Sequence, residues 1–158
     1  MPGTLLQLNI SAGGMPKLAI DSARITFEGI PGDWQKDRKH HGGPDRAVCL
    51  FSEEQYTWLR DDFGIDLAFG SVGENFTTRG VDLDSLKPGD RLRVGDACII
   101  EITDVRVPCR NLKKWDDRLP RIVNGRSGWV AKVIAEGEVK PGDSITVLTH
   151  SPGRISLA

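Results

Sequence analysis

Short apolar runs separated by glycine and proline dominate this chain, which has 18 Gly and 9 Pro among its 158 residues. Several runs alternate apolar and polar residues with a period of two, which is typical of half-buried strands. Many short strands joined by frequent turns favour a mainly β fold, either a barrel or a sandwich. The runs lie at residues 5–10, 23–27, 47–51, 91–94, 97–102 and 144–148.

The tripeptide Pro-Gly-Asp occurs three times, at residues 31–33, 88–90 and 141–143. Proline followed by glycine suits the central positions of a type II turn, because proline presets φ and glycine tolerates a positive φ. The last two copies each precede a strand-like run, so we predict that they form corners of a barrel.

One helix is well marked in the sequence. Ser52 is a good N-cap, and Gln55 three residues later completes a capping box. The helix is predicted to run to about Phe63, with Gly64 as its stop.

A second helical stretch is predicted to begin near Asn111 and to run over Asp116. Pro120 interrupts it, and a short helical turn is expected over residues 121–123. No linker divides the chain, so residues 1–150 are predicted to form a single domain, with residues 151–158 as a loose tail.

The charge is balanced, with 21 Lys+Arg against 22 Asp+Glu. This balance, and the lack of basic segments interleaved with aromatic residues, argue against a nucleic-acid partner. No apolar run reaches the ~18 residues of a membrane span, and the first residues do not resemble a secretory signal. We therefore expect a cytoplasmic protein that has no membrane partner.

The three cysteines show no CxxC motif and no zinc-like spacing. In a reducing compartment they are expected to be free thiols. Cys49 and Cys98 lie within apolar runs and are predicted to be small buried residues.

Cys109 differs from the other two, because it follows Pro108 at the end of a strand-like run and is flanked by Arg106 and Arg110. Proline should display the thiol on a constrained turn, and two nearby cations favour the thiolate. A thiolate is a nucleophile and a ligand for soft metals. The alternative is a loop cysteine without a role.

A glycine-rich polar segment, His41-Gly42-Gly43-Pro44-Asp45-Arg46, precedes the run at residues 47–51. Glycines let backbone N–H groups approach an anion, and His41 and Arg46 add donors. The alternative is a solvated surface turn. The preceding His40 does not make a zinc pair with His41, because adjacent side chains on a strand point to opposite faces.

A second such segment spans residues 70–80. Glu74 and Asn75 could accept and donate hydrogen bonds along the edge of a heterocycle, and Gly73 and Thr77 lie beside them. The alternative is a loop in which Asn75 bonds to its own backbone. The spacing matches neither a P-loop nor a dinucleotide-binding fingerprint.

Taken in order, these segments resemble the MOSC domain family, named for the molybdenum cofactor sulfurase C-terminal domain. The resemblance covers roughly residues 4–148 and is closest to the small stand-alone bacterial members. It rests on the segments 41–48, 73–78, 106–109, 128–133 and 141–143.

The resemblance implies a MOSC-type β-barrel with a few short peripheral helices and a pocket for a molybdenum–pterin cofactor. Cys109 matches the family cysteine expected to bind the metal, and Arg106 matches an arginine expected to hold the cofactor phosphate. Other motif positions expected to line the cofactor site are Arg46, Gly42, Gly43, Gly73, Glu74, Asn75, Thr77 and Arg110.

The resemblance favours an enzyme, a molybdenum-cofactor-dependent oxidoreductase that reduces N-hydroxylated compounds such as hydroxylaminopurines or amidoximes. The chain has no flavin, haem or iron–sulfur motif, so electrons would come from a partner reductase. Cys109 and His41 are the expected catalytic groups, and His41, Glu74 and Asp45 are candidate proton donors. Two alternatives are a sulfur carrier that bears a persulfide on Cys109 and a non-enzymatic module for a phosphorylated ligand. The sequence also leaves open whether the chain forms a homodimer, since the tryptophans could lie in the core or at an interface.

Overall fold

A computed structural model of the chain describes residues 2–33 and 44–149. Within them lie ten strands, two α-helices and three 3₁₀ helices. The strands are β1 (Gly3–Ile10), β2 (Leu18–Ile20), β3 (Ala23–Ile25), β4 (Val48–Ser52), β5 (Phe76–Arg79), β6 (Arg91–Val94), β7 (Cys98–Val105), β8 (Trp129–Ala135), β9 (Gly137–Val139) and β10 (Ser144–Thr149). The α-helices are α1 (Glu53–Phe63) and α2 (Leu119–Ile122), and the 3₁₀ helices are Pro44–Arg46, Leu83–Ser85 and Arg110–Lys114.

Seven strands close into a barrel in the order β10-β6-β7-β8-β4-β5-β1, and the β1–β10 pairing completes the ring. The β4–β5 pair is parallel, and the other neighbours in the ring are antiparallel. Strand β2 extends the sheet beside β1, and β3 and β9 form a separate two-stranded sheet. Closure removes the free strand edges of the ring. The mainly β barrel predicted above is confirmed.

Strand β4 is buried on both faces, which explains its nearly continuous apolar sequence. Val48 and Leu50 point into the barrel and belong to its core, whereas Phe51 points outward. A second apolar cluster covers the outer face, and each fully buried side chain contributes about 1.5–3 kcal/mol. Its buried members are Phe51, Tyr56, Leu59, Ile65, Val72, Leu112, Leu119 and Val123.

The predicted helix boundaries at α1 are confirmed. The Ser52 hydroxyl accepts a hydrogen bond from the Gln55 N–H, and the Gln55 side-chain oxygen accepts one from the Ser52 N–H. Gly64 ends the helix with φ 69°.

All three Pro-Gly-Asp turns are confirmed. In each, the Asp N–H donates to the carbonyl three residues before it, at 3.0 Å for residue 33, 3.0 Å for residue 90 and 3.1 Å for residue 143. The central glycines have φ between 88° and 97°, as a type II turn requires.

Other boundaries differ from those expected. Residues 110–114 form a 3₁₀ helix rather than an α-helix over 111–116. Pro120 lies in the first turn of α2 and does not interrupt a helix, because a first-turn N–H needs no partner within the helix. Strand β7 continues to Val105, and residues 76–79 form strand β5 rather than a loop. The predicted tail at 151–158 lies outside the described residues.

Candidate functional site

The candidate site lies on the outer wall of the barrel, beside the outward face of β4. Three loops meet there: residues 11–17 before β2, residues 68–75 before β5, and residues 106–118 after β7. Gly73 in the second loop lies against both Met15 and Arg106. Trp115 Nε1 in the third loop donates to the Ser71 carbonyl at 2.9 Å. The barrel therefore brings distant segments of the sequence into one cluster.

Cys109 is half-buried and lies at the start of the 3₁₀ helix Arg110–Lys114. Its backbone is extended, with φ −84° and ψ 141°, which is usual for an N-cap residue. The Cys109 Sγ accepts a hydrogen bond from the Asn111 N–H at 3.4 Å. The other two cysteines are buried, as predicted, and burial raises the pKa of Cys98 to about 12. Cys109 is thus the thiol most accessible to a ligand.

Arg106 begins the same loop, and its backbone is fixed on both sides. Its N–H donates to the Gly128 carbonyl at 2.9 Å, and its carbonyl accepts from the Ser127 hydroxyl. Its guanidinium lies against Gly73, where an added Cβ would be 2.9 Å from Arg106 Nη2. Within residues 2–33 and 44–149, this guanidinium has no hydrogen-bond or ion-pair partner. It is therefore a cation that can accept an anionic ligand.

Glu74 is fully buried and receives hydrogen bonds on both carboxylate oxygens. The Tyr56 hydroxyl donates to both at 2.8 Å, and the Gly70 N–H and the Thr77 hydroxyl donate to Oε2 at 3.0 and 2.8 Å. Burial raises the pKa of Glu74, and these donors oppose the rise only in part. The buried carboxylate holds the 68–75 loop through the Gly70 N–H, and the Thr77 hydroxyl helps to fix that carboxylate.

Asn75 is also fully buried, and its amide joins three segments. Its Oδ1 accepts from the Cys49 N–H at 3.0 Å, while its Nδ2 donates to the Asn9 carbonyl at 3.1 Å and to Asp33 Oδ2 at 3.0 Å. The amide is therefore engaged with protein groups. Asn75 and Glu74 lie beneath the site and act on it through the loops that they hold.

The remaining sequence-predicted residues are spread around this cluster. Arg46 lies 3.7 Å from Asp104 in a partly exposed ion pair, and the Thr103 hydroxyl donates to the Asp45 carbonyl at 2.6 Å. Arg110 is exposed on the 3₁₀ helix. The predicted positions His41, Gly42 and Gly43 lie outside the described residues.

Sequence reasoning missed the 11–17 loop. Met15 packs against Gly73, and its carbonyl accepts from Lys114 Nζ at 2.6 Å. Lys17 and Asp33 form a buried ion pair in which Nζ lies 2.7 Å from both carboxylate oxygens. The paired glycines before Met15 signalled a turn but did not indicate what the turn touches.

Together, an accessible thiol and a guanidinium without a partner among the described residues suit a ligand that carries both a soft metal and a phosphate. Among the residues that the structure describes, no group of three or more His, Cys, Asp or Glu side chains could hold a metal ion. In the same part of the chain, no helix is long and apolar enough to cross a membrane.

The closed barrel and the site on its outer wall place the chain among small β-barrel domains. The family model of the MOSC domain matches residues 37–146, and the chain belongs to this family.

Two bacterial relatives resemble the chain over most of its length. Protein YflK of Bacillus subtilis is 30% identical over 152 residues, which cover 94% of this chain and 68% of YflK. Protein YiiM of Escherichia coli is 34% identical over 131 residues, which cover 78% of this chain and 58% of YiiM. The crystal structure of that YiiM superimposes with a TM-score of 0.74 at 25% identity, covering 95% of this chain and 71% of that chain.

A fungal relative is a larger protein. A protein of Gibberella moniliformis named "Reductase" is 31% identical over 127 residues, which cover 76% of this chain and 22% of that protein.

Proposed function

We propose that this chain binds a molybdenum–pterin cofactor, with Cys109 as the protein ligand to the metal and Arg106 as the ligand to the phosphate. The observation that carries the proposal is the guanidinium of Arg106, which lies unpaired within the described chain, three residues before the half-buried thiol. Membership of the MOSC domain family supports the choice of cofactor.

The residues present fit such a group. Thiolate sulfur is a preferred ligand of soft metal–sulfur centres, and a guanidinium binds phosphate oxygens through two parallel hydrogen bonds. The absence of a side chain at Gly73 lets the Arg106 guanidinium lie against the 68–75 loop, where an added Cβ would be 2.9 Å from Nη2. The Asn111 N–H bonded to Sγ orients the sulfur before any metal arrives.

We further propose that the chain is an oxidoreductase that reduces N-hydroxylated compounds such as hydroxylaminopurines or amidoximes. Reduction of an N–OH group consumes two electrons and two protons and releases water. The cofactor would supply the redox centre, a partner reductase the electrons, and the protein the orientation. The relative named reductase supports a redox role.

Proton delivery is divided among the candidates by burial. Glu74 is fully buried and already accepts from Tyr56, so it does not meet a substrate directly. Asp45 is exposed, so burial does not exclude it. Asp45 and His41 remain the proposed proton donors.

The reduction of 6-hydroxylaminopurine by the cofactor-loaded protein, with a chemical reductant as electron source, tests this activity. We expect turnover by the wild type and none by Cys109→Ser. Cys49→Ser is the matched control, because that buried side chain donates to the Gly73 carbonyl at 3.3 Å and a hydroxyl can do the same. Equal turnover by all three proteins would contradict the proposal.

A sulfur carrier is the second candidate, favoured by the accessibility of Cys109 on a turn. A persulfide on this thiol would require no resident metal. Mass spectrometry of the purified chain should then show an added sulfur atom on Cys109 and not on Cys49. A stable molybdenum complex would exclude the carrier as the main role.

A further inference from the structure

The restraint on the Arg106 guanidinium comes from packing at Gly73 in the described part of the chain. A long arginine side chain has large rotamer entropy, and no hydrogen bond or ion pair from the described residues restrains this one. Within the described residues, the guanidinium packs at Gly73. There an ideal Cβ would lie 2.9 Å from Arg106 Nη2, 2.9 Å from Met15 Cγ and 3.2 Å from Met15 Sδ. Arg106 and Met15 therefore press against the same bare Cα.

Met15 is itself held at its backbone. Its carbonyl accepts from Lys114 Nζ at 2.6 Å, on the 3₁₀ helix that begins directly after Cys109. Two residues later, the Lys17 N–H donates to the Gly70 carbonyl at 2.9 Å. The Lys17 ammonium lies in the buried ion pair with Asp33. The loop is thus tied at the Met15 carbonyl and again at Lys17, two residues later.

We propose that Met15 is a positioning residue that holds the Arg106 guanidinium against Gly73, ready to bind a phosphate group. This inference rests on the proposed function for its account of what Arg106 binds. A flexible, polarisable thioether suits the irregular space at Gly73 that Met15 shares with the guanidinium. Fixing the cation before the ligand arrives lowers the ordering cost of binding.

The alternative is that Met15 only completes the outer apolar cluster, against which it also packs. The two roles predict different results. A purely structural Met15 would affect stability when truncated but would leave the order of the Arg106 side chain unchanged. A positioning Met15 would affect both that order and the affinity for phosphate.

The experiment uses the full chain, produced without cofactor supply, and inorganic phosphate as the probe. The NMR signal of the Arg106 Nε–H, assigned by its loss in Arg106→Lys, reports both side-chain order and phosphate binding. We expect Met15→Ala to lower the order and to weaken phosphate binding by about threefold to tenfold, the usual scale for one immobilised side chain. Met15→Leu, which refills the volume, should restore both.

Leu18→Ala is the matched control, because this side chain is 68% exposed and lies three residues after Met15, at the start of β2. It should change neither readout. Unchanged Arg106 order in folded Met15→Ala would overturn the inference, as would failure of Met15→Leu to restore it. If phosphate does not shift the Arg106 signal in the wild type, the phosphate contact of the proposed function fails. The order measurement would still decide the role of Met15.

Discussion

Replacing Gly73 with alanine should move the Arg106 guanidinium without removing its charge. Gly73 has φ +85°, where an L-residue costs about 1–2 kcal/mol. The new Cβ would also lie 2.9 Å from both Arg106 Nη2 and Met15 Cγ, closer than packed atoms tolerate. These atoms lie towards the ends of flexible side chains and can yield, so we take the lower end of the overpacking cost, about 1 kcal/mol. The expected loss of unfolding free energy is about 2–3 kcal/mol.

Gly125→Ala provides the matched control. Gly125 has φ +81°, and an added Cβ there meets nothing within 4 Å. It carries the same backbone strain and no crowding, so it should cost about 1–2 kcal/mol. The difference between the two variants isolates the contact with Arg106 and Met15.

Urea unfolding, followed by tryptophan fluorescence, measures the two stabilities, and phosphate titration measures the proposed contact of Arg106 with phosphate. Gly73→Ala should bind phosphate about tenfold more weakly than the wild type, because displacing the guanidinium loses about 1.4 kcal/mol of charge-assisted hydrogen bonding. Gly125→Ala should bind as the wild type does. Equal stability and equal phosphate affinity in the two variants would refute the placement of Arg106 against Gly73.

Three further predictions concern residues that support the candidate site. Lys17→Met leaves the Asp33 carboxylate buried without its partner and should cost about 3 kcal/mol of unfolding free energy. Adding Asp33→Asn should recover part of that loss, and a single-variant cost near zero would show that the ion pair does not form. Ser52→Ala should lower the free energy of unfolding by about 1 kcal/mol, because it removes the cap of α1. Ser52→Thr keeps a capping hydroxyl and should keep most of that stability. Urea unfolding of both variants measures the difference. Burial raises the pKa of Glu74, so its stabilising contribution is complete below the ordinary value of 4.5 and is lost as pH rises through the raised pKa. Unfolding free energies from acidic to neutral pH should therefore fall for the wild type relative to Glu74→Gln, and parallel curves would contradict the shift.

Local features of the fold could be predicted from the sequence because their causes are local. The capping box at Ser52 and the turn at residues 88–90 depend on residues that are adjacent in the chain. The order of strands in the barrel depends on contacts between distant segments. The alternation of residues gives no register for these contacts, and the resemblance supplied the closed barrel.

Only part of the candidate site could be predicted from the sequence, because some of its contacts are local and others join distant segments. Cys109 and Arg106 stand on one loop, and their neighbours in the sequence indicate an accessible thiol between cations. The sequence does not indicate that Glu74 is buried beneath Tyr56, because 18 residues separate them. Nor does it indicate that Met15 reaches Gly73. These contacts exist because the closed barrel brings three loops to one wall.

The molybdenum content of the purified protein tests the central claim most directly. The wild type, Cys109→Ser and Cys49→Ser would each be produced in a host that makes the cofactor, and the metal per chain would be measured. We expect near-stoichiometric molybdenum in the wild type and in Cys49→Ser, and its loss in Cys109→Ser. Metal retained equally by all three proteins would remove Cys109 from the role proposed here, and no metal in any of them, despite proven cofactor supply, would contradict the cofactor itself.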